Sequence, residues 1–155
     1  MENKLVDSYI TTPSKIKVHH NLGQEIRLDN FKKIIFIAGM GGKEMELIIQ
    51  SLIPQMRPDD SLVLSPHRNF LSLRSFLEKT DLGLFEESVI KEDGLFYQVI
   101  CLRKSSVLPK IAPFGDNIWK GSIGEEYRQH ILRTFSIHQD RSSKGLVAYL
   151  EQLSP

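Results

Sequence analysis

The chain has 155 residues, 41% of them apolar and 25% charged, which suits a single globular domain with a modest core. Lys and Arg number 20 against 19 Asp and Glu, a net charge of +1, so no global field recruits a polyanion or an anionic membrane and any such role must come from local charge. No apolar run approaches the ~20 residues that span a bilayer, the opening MENKLVDSYITTPSK lacks a signal-peptide layout, and the lone Cys101, in the apolar run QVICL, reads as a buried core thiol in a reducing cytoplasm.

Residues 1–15 are polar, with Thr11-Thr12-Pro13-Ser14 as a turn, and Ile16-Lys17-Val18-His19 alternates as a short strand would. A polar connection over 21–30, with room for one helical turn, leads to Ile34–Ala38. This fully apolar run suits a strand buried on both faces of a parallel sheet. It enters a glycine turn, Gly39-Met40-Gly41-Gly42, that lets the backbone bend sharply and approach a ligand closely. From Lys43 the residues Met45, Leu47, Ile48, Leu52 and Ile53 fall near helical spacing, and Pro54 and Pro58 end that helix. Ser61–Ser65 is a second buried-type strand, and Phe70, Leu73, Phe76 and Leu77 mark a second helix running to about Thr80. Strands are expected over 84–91 and 96–103, joined by the tight turn Glu92-Asp93-Gly94. After Lys104 comes a Ser- and Pro-containing passage, a turn at 114–117, a helix over 125–139 and a last short helix over 146–153. The expected organisation is an α/β domain over 1–104 and a helical extension over 105–155. Strand, helix, strand, helix, hairpin is also how the class I methyltransferase sheet finishes, an analogy of fold alone.

IAGMGG after a buried strand, then LVLSP, then EDGLFYQVICLRK, resembles the bacterial tRNA adenine-N1 methyltransferases that act on adenine 22. The likeness covers roughly residues 16–135. It implies a Rossmann-like, S-adenosylmethionine-dependent enzyme with a C-terminal helical extension and tRNA as its partner. It places Ala38, Gly39, Met40, Gly41 and Gly42 beside the methyl donor and the target base. The hairpin residues Glu92, Asp93, Gly94 and Tyr97 also fit the family pattern, and Phe114-Gly115 resembles the start of its extension. The resemblance therefore implies Met40, Gly41 and His67 at the reaction site, Ala38, Gly39 and Gly42 at the cofactor, and Asp93, Tyr97, Arg128 and Arg133 against substrate RNA.

The departures from the family pattern are specific. The family opens with a strand and an acidic glycine loop that holds the donor's methionine end, and neither this loop nor the following ribose-binding strand is found in this chain. Leu22, in His20-Asn21-Leu22-Gly23-Gln24, stands where the pattern carries an acid beside the donor adenine. Ser65-Pro66-His67 stands where it reads Gln-Pro-Asn. The sheet is therefore expected to be partial, with Ile34–Ile37 at an apolar edge that residues 1–20 cover, that a second copy pairs with, or that belongs to a longer gene product. A non-catalytic RNA- or protein-binding remnant of the fold is the alternative to an enzyme.

Other residues carry weaker signals. The glycine turn is not a Walker A loop, since no Gly-Lys-Ser/Thr follows at the right spacing, although its backbone N–H groups at a helix start would suit an anionic or polar edge. His19-His20 has no acid or cysteine at ligand spacing, so no metal is expected. Glu86-Glu87 and Glu125-Glu126 read as solvated faces, and His130 and His138 as helix-surface residues. Lys120, Arg128, Arg133, Arg141 and Lys144 form a local basic excess that could track a phosphate backbone, with Trp119 read as packed rather than stacked on a base.

Overall fold

A computed structural model describes residues 20–135, 137 and 140–153. The expected strand over 16–19 lies outside the described residues, as do His19 and His138. Strand β1 (Ile34–Ala38) leads into helix α1 (Gly42–Leu52), strand β2 (Ser61–Ser65) and helix α2 (Phe70–Leu77). The long hairpin β3 (Leu82–Glu92) and β4 (Leu95–Lys104) follows, then helices α3 (Gly121–Phe135) and α4 (Arg141–Gln152). The polar connection before β1 carries one 3-10 turn, Gly23–Glu25.

The four strands form one sheet in the order β1-β2-β4-β3. β1 and β2 are parallel, with Ile34 opposite Ser61 and Ala38 opposite Ser65, while β4 runs antiparallel to both β2 and β3. The hairpin is closed by Asp93 (φ 48°) and Gly94 (φ 78°), two left-handed residues in succession as a type I′ turn requires. Because β4 begins at Leu95 and Leu64 of β2 lies opposite Ile100, the hairpin tip overhangs the C-terminal ends of β1 and β2.

The main core lies on one face of the sheet. Met45, Ile49 and Leu52 of α1 and Leu73 and Leu77 of α2 pack on Ile37, Leu62, Leu64, Ile100 and Leu102. Leu47, included in the expected helical stripe, instead faces solvent. The opposite face carries Ile34, 62% exposed, and Phe36, 71% exposed, so the apolar strand expected to be buried on both faces is buried on one. Cys101 points to this second face opposite Val63 and is half-buried rather than a core thiol. Burial raises its pKa, ahead of a lowering by the Arg103 charge and a raising by the Glu86 charge.

A second apolar cluster joins the C-terminal helices to the body. Tyr127, Ile131, Leu146 and Leu150 pack with Phe70, Ile118 and Trp119, against Val89 and Phe96 of the hairpin. Helix α3 starts four residues earlier than the apolar spacing predicts, at Gly121 (φ 73°), and Gly124 in its first turn lies so close to the Trp119 carbonyl that a Cβ there would sit 2.8 Å from its oxygen. Trp119 Nε1 donates to the Gly115 carbonyl at 2.9 Å, and its ring stacks on Tyr127 with centroids 5.3 Å apart.

Candidate functional site

The C-terminal ends of two parallel strands are where an open α/β sheet presents its loops to ligand. Here the loops after β1 and β2 are stitched together by their backbones. His67 N–H donates to the Met40 carbonyl at 3.0 Å, and Gly42 N–H donates to the Arg68 carbonyl at 2.8 Å. Gly42 is buried, and a Cβ there would meet the Asn69 carbonyl oxygen at 2.5 Å, so only glycine permits this approach. Gly39 turns the chain at φ 79° with no atom of the described residues within 4 Å of the place a Cβ would occupy, and it is exposed.

Gly41 caps α1, and the Glu44 side chain folds back against it. A carboxylate in the first turn already complements the positive end of the helix dipole and would repel a phosphate. The carboxylate thus disfavours a phosphate at this turn, whose open positions are Ala38, Gly39 and the half-buried Met40. His67 is exposed, and its ring lies 6.3 Å from that of Tyr97, the two tilted by 60°. Met40, Gly41, His67 and Tyr97 thus share one corner of the molecule.

The other candidates lie elsewhere. Asp93 sits at the hairpin tip, three register positions beyond Tyr97, where its left-handed backbone forms the turn. Arg128 is only 9% exposed. Its guanidinium grips Glu125 through Nε at 2.8 Å and Nη2 at 2.9 Å, while Nη1 donates to the Leu150 carbonyl at 2.8 Å. These contacts tie α3 to the end of α4 and occupy the group that the basic-patch reading assigned to RNA. Arg133 is exposed, with Nε donating to the Gln129 carbonyl at 3.2 Å, and Lys120, Arg141 and Lys144 are also exposed.

Behind the His67 loop, a cavity of about 490 Å³ opens between the hairpin and α3. Phe96, Gln98, Tyr127 and His130 contribute to its wall. None of these four stood out in the sequence as a functional residue. The Phe96 ring lies 5.3 Å from both Tyr127 and His130, a signal that emerges only once β4 and α3 are brought together. His130, read as a helix-surface residue, is exposed and also lines this cavity.

Residues 3–100, well over half of the chain, match the methyltransferase domain family. The tRNA (adenine(22)-N(1))-methyltransferase of Bacillus subtilis (strain 168) is 30% identical over 87 residues, which cover 56% of this chain and 37% of that enzyme. The chain thus spans little more than a third of the curated relative it matches. Among solved structures, a candidate tRNA (m1A22) methyltransferase of Streptococcus pneumoniae, in complex with S-adenosyl-L-methionine, superposes with a TM-score of 0.62 at 19% identity, over 77% of this chain and 58% of that one. An uncharacterized protein of Listeria monocytogenes serotype 4b gives 0.60 at 23% identity, over 77% and 61%. These two likenesses establish a Rossmann-like α/β fold. With the family match and the 30% identity beside them, the chain belongs to the methyltransferase domain family, and its resemblance to the tRNA (adenine(22)-N1)-methyltransferases holds in sequence as well as in fold.

Proposed function

We propose that this chain carries the acceptor-side half of an S-adenosylmethionine-dependent methyltransferase site whose substrate is an adenine N1 in tRNA. The observation that carries the reading is the pair of stitched turns, Met40 to His67 and Gly42 to Arg68, which holds IAGMGG beside His67 and Tyr97 at the mouth of the parallel strands. The Bacillus subtilis relative's name supplies the substrate class.

Methylating N1 of a structured adenine requires the base to leave its stack. N1 is a neutral lone-pair nucleophile, so no strong general base is needed before transfer, and positioning provides much of the acceleration. Met40 offers an apolar surface for the base rings, and His67 and Tyr97 offer a ring face and polar atoms at its edge. S-adenosylmethionine, when bound, supplies an electrophilic methyl group on a sulfonium sulfur. Ala38 and Gly39 fit such a donor, because both are exposed and no described atom lies within 4 Å of where a Gly39 Cβ would be. Gly42 acts through packing, since its N–H is already given to Arg68. Lys120, Arg133, Arg141 and Lys144 are the exposed cations placed to meet RNA phosphates, with Arg128 holding the helices that carry them. The outer edge of β1 has no partner strand among the described residues, which supports self-association of two copies through it.

One observation favours a second reading, a non-catalytic RNA- or protein-binding module. Leu22, 60% exposed, offers no acid where the family pattern carries one beside the donor adenine. Titrating the full chain with S-adenosylmethionine by calorimetry, followed by methylation of unmodified tRNA, separates the two. Micromolar binding with label at adenine N1 supports the enzyme. No heat at millimolar donor leaves the binding module.

A further inference from the structure

Gln98 is 4% exposed on β4, and its side chain lines the cavity between the hairpin and α3. Its Nε2 donates to the Tyr127 hydroxyl oxygen at 2.8 Å, while its Oε1 is buried with no hydrogen-bond partner among the described residues. A buried acceptor left unpaired costs free energy, and native structures rarely keep one without a reason. Flipping the amide does not remove the conflict, because it would replace one unpaired acceptor with an NH2 group lacking partners. Tyr127 takes the Gln98 hydrogen bond through its oxygen, so its own O–H proton is left to donate. Burial raises the Tyr127 pKa, ahead of lowering by the Gln98 hydrogen bond and the Arg74 charge, so the phenol stays protonated across the physiological range. Acceptor and donor thus stand side by side just behind one wall, with the acceptor shut from solvent.

The surrounding wall is partly aromatic, with Arg68, Asn69, Asp140 and Ser143 adding polar groups. Phe96 and His130 have ring centroids 5.3 Å apart, and His67 closes the side nearest the glycine turn. The cavity volume of about 490 Å³ falls within the range of small-molecule sites, roughly 300–1,000 Å³. We propose that this cavity is a nucleobase subsite into which the Gln98 amide turns, its Oε1 accepting an exocyclic N–H of an aminopurine while the Tyr127 hydroxyl donates to the neighbouring N7, which leaves N1 free, and Phe96 and His130 pack side by side along the ring. The choice of an adenine base rests on the RNA substrate proposed above. The subsite is probed without methyl transfer, so its failure would leave that reading standing.

The test uses the sole tryptophan. Trp119 stacks on Tyr127 and reports the cavity wall through its emission. Adenosine titrated into the full chain should change Trp119 emission saturably. Purine riboside, which lacks the exocyclic amine, should bind at least tenfold more weakly. Gln98→Leu should abolish the response, and His130→Ala, at an exposed helix position that tolerates truncation, should weaken it several-fold with an unchanged far-UV spectrum. Saturating S-adenosylmethionine should leave adenosine binding in place. Equal affinity for adenosine and purine riboside overturns the proposal. So do a response untouched by His130→Ala, loss of all adenosine binding on adding the donor, and no response at millimolar nucleoside.

Discussion

Arg74 Nη2 donates to Glu87 Oε2 at 2.6 Å, with both side chains fully shut from solvent. The pair joins α2 to β3. The same two residues reach into the passage before α3, where Arg74 Nε donates to the Ala112 carbonyl at 2.8 Å and Glu87 Oε1 accepts from the N–H groups of Asp116 and Asn117 at 2.8 and 2.9 Å. One ion pair therefore connects α2 and the sheet to the segment that precedes α3. Removing one partner strands the other charge in the interior, so Arg74→Met or Glu87→Leu alone should cost about 3–5 kcal/mol. The double variant should recover a good part of that loss. Urea denaturation of the three variants measures the coupling, and strict additivity would contradict it.

Acid should loosen the same joint. Burial pushes the Glu87 carboxyl up, but the Arg74 charge and the hydrogen bonds from Arg74, Asp116 and Asn117 outweigh it and leave the group below its ordinary value. Asp60, which accepts from the Lys33 and Arg57 N–H groups between the entries to β1 and β2, is lowered likewise, with burial opposing those bonds and the Lys33 charge. A carboxylate with a depressed folded-state pKa contributes stability that is fully present above its unfolded value, about 4.3 for Glu and 3.9 for Asp. That stability fades as pH falls through the lower folded values. Thermal unfolding should therefore show a Tm that is level with respect to these two groups from pH 7 to about pH 5 and drops below about pH 4, with the acid-side drop shallower in Glu87→Gln.

Two glycines of the same turn should respond differently to alanine. At Gly42 a Cβ would meet backbone, the Asn69 carbonyl oxygen at 2.5 Å, so Gly42→Ala must pry the two loops apart and should cost about 1–3 kcal/mol. At Gly39 the space is open and only the φ of 79° resists, a penalty of about 1 kcal/mol. Gly39→Ala should therefore leave a folded protein whose donor-side surface carries an added methyl. Calorimetry with S-adenosylmethionine should find weaker binding in Gly39→Ala at nearly unchanged Tm, whereas Gly42→Ala should lose stability first.

Much of this fold is legible in the residues, and the places where it is not share a cause. β1, β2, the hairpin turn and α1 announce themselves through local signals: unbroken apolar runs, Asp93-Gly94, and Met45 and Leu52 at helical spacing, although Ile49 rather than Leu47 completes the buried stripe. Glu87 does not. Along β3 the alternation set by Leu82 and Leu84 would turn Glu86 inward, but the register shifts between Leu84 and Glu86, and the extra residue Phe85 moves Glu87 to the core face opposite Ile100. Its partner Arg74 lies on a helix whose apolar stripe gives no hint of a buried cation. Arg128 is misleading in the same way, because the carbonyls that hold it come from α4. The glycine turn after β1 is readable because its backbone geometry is local, whereas the Gln98 cavity depends on packing between two distant elements.

The two arginines of α3 offer a separation of structure from substrate contact. Arg128 is engaged by Glu125 and by the end of α4, so Arg128→Ala should lower the Tm and lower RNA affinity only in proportion to lost folding. Arg133 is exposed near the end of the same helix, so Arg133→Ala should leave the Tm within a degree or two while weakening tRNA binding. Filter binding at several salt concentrations reads the difference, since losing one phosphate contact reduces the slope of log K against log salt by about 1. An unchanged slope in Arg133→Ala would remove it from the RNA face.

The exposed side of β1 leads to the last expectation. Ile34 and Phe36 project from an edge strand on the sheet face opposite α1 and α2, and no described strand pairs with its outer side. Unpaired backbone groups beside large apolar side chains favour pairing with another copy. Sedimentation of the full chain should show concentration-dependent self-association. Phe36→Lys places a charge on that edge without touching the core face, which β1 lines with Ile37. The variant should shift the distribution toward monomer by at least tenfold in dissociation constant, with no loss of Tm measured at dilute concentration. A wild-type chain that stays monomeric to high concentration, or a Phe36→Lys variant that associates as strongly, would place the association elsewhere or abolish the idea.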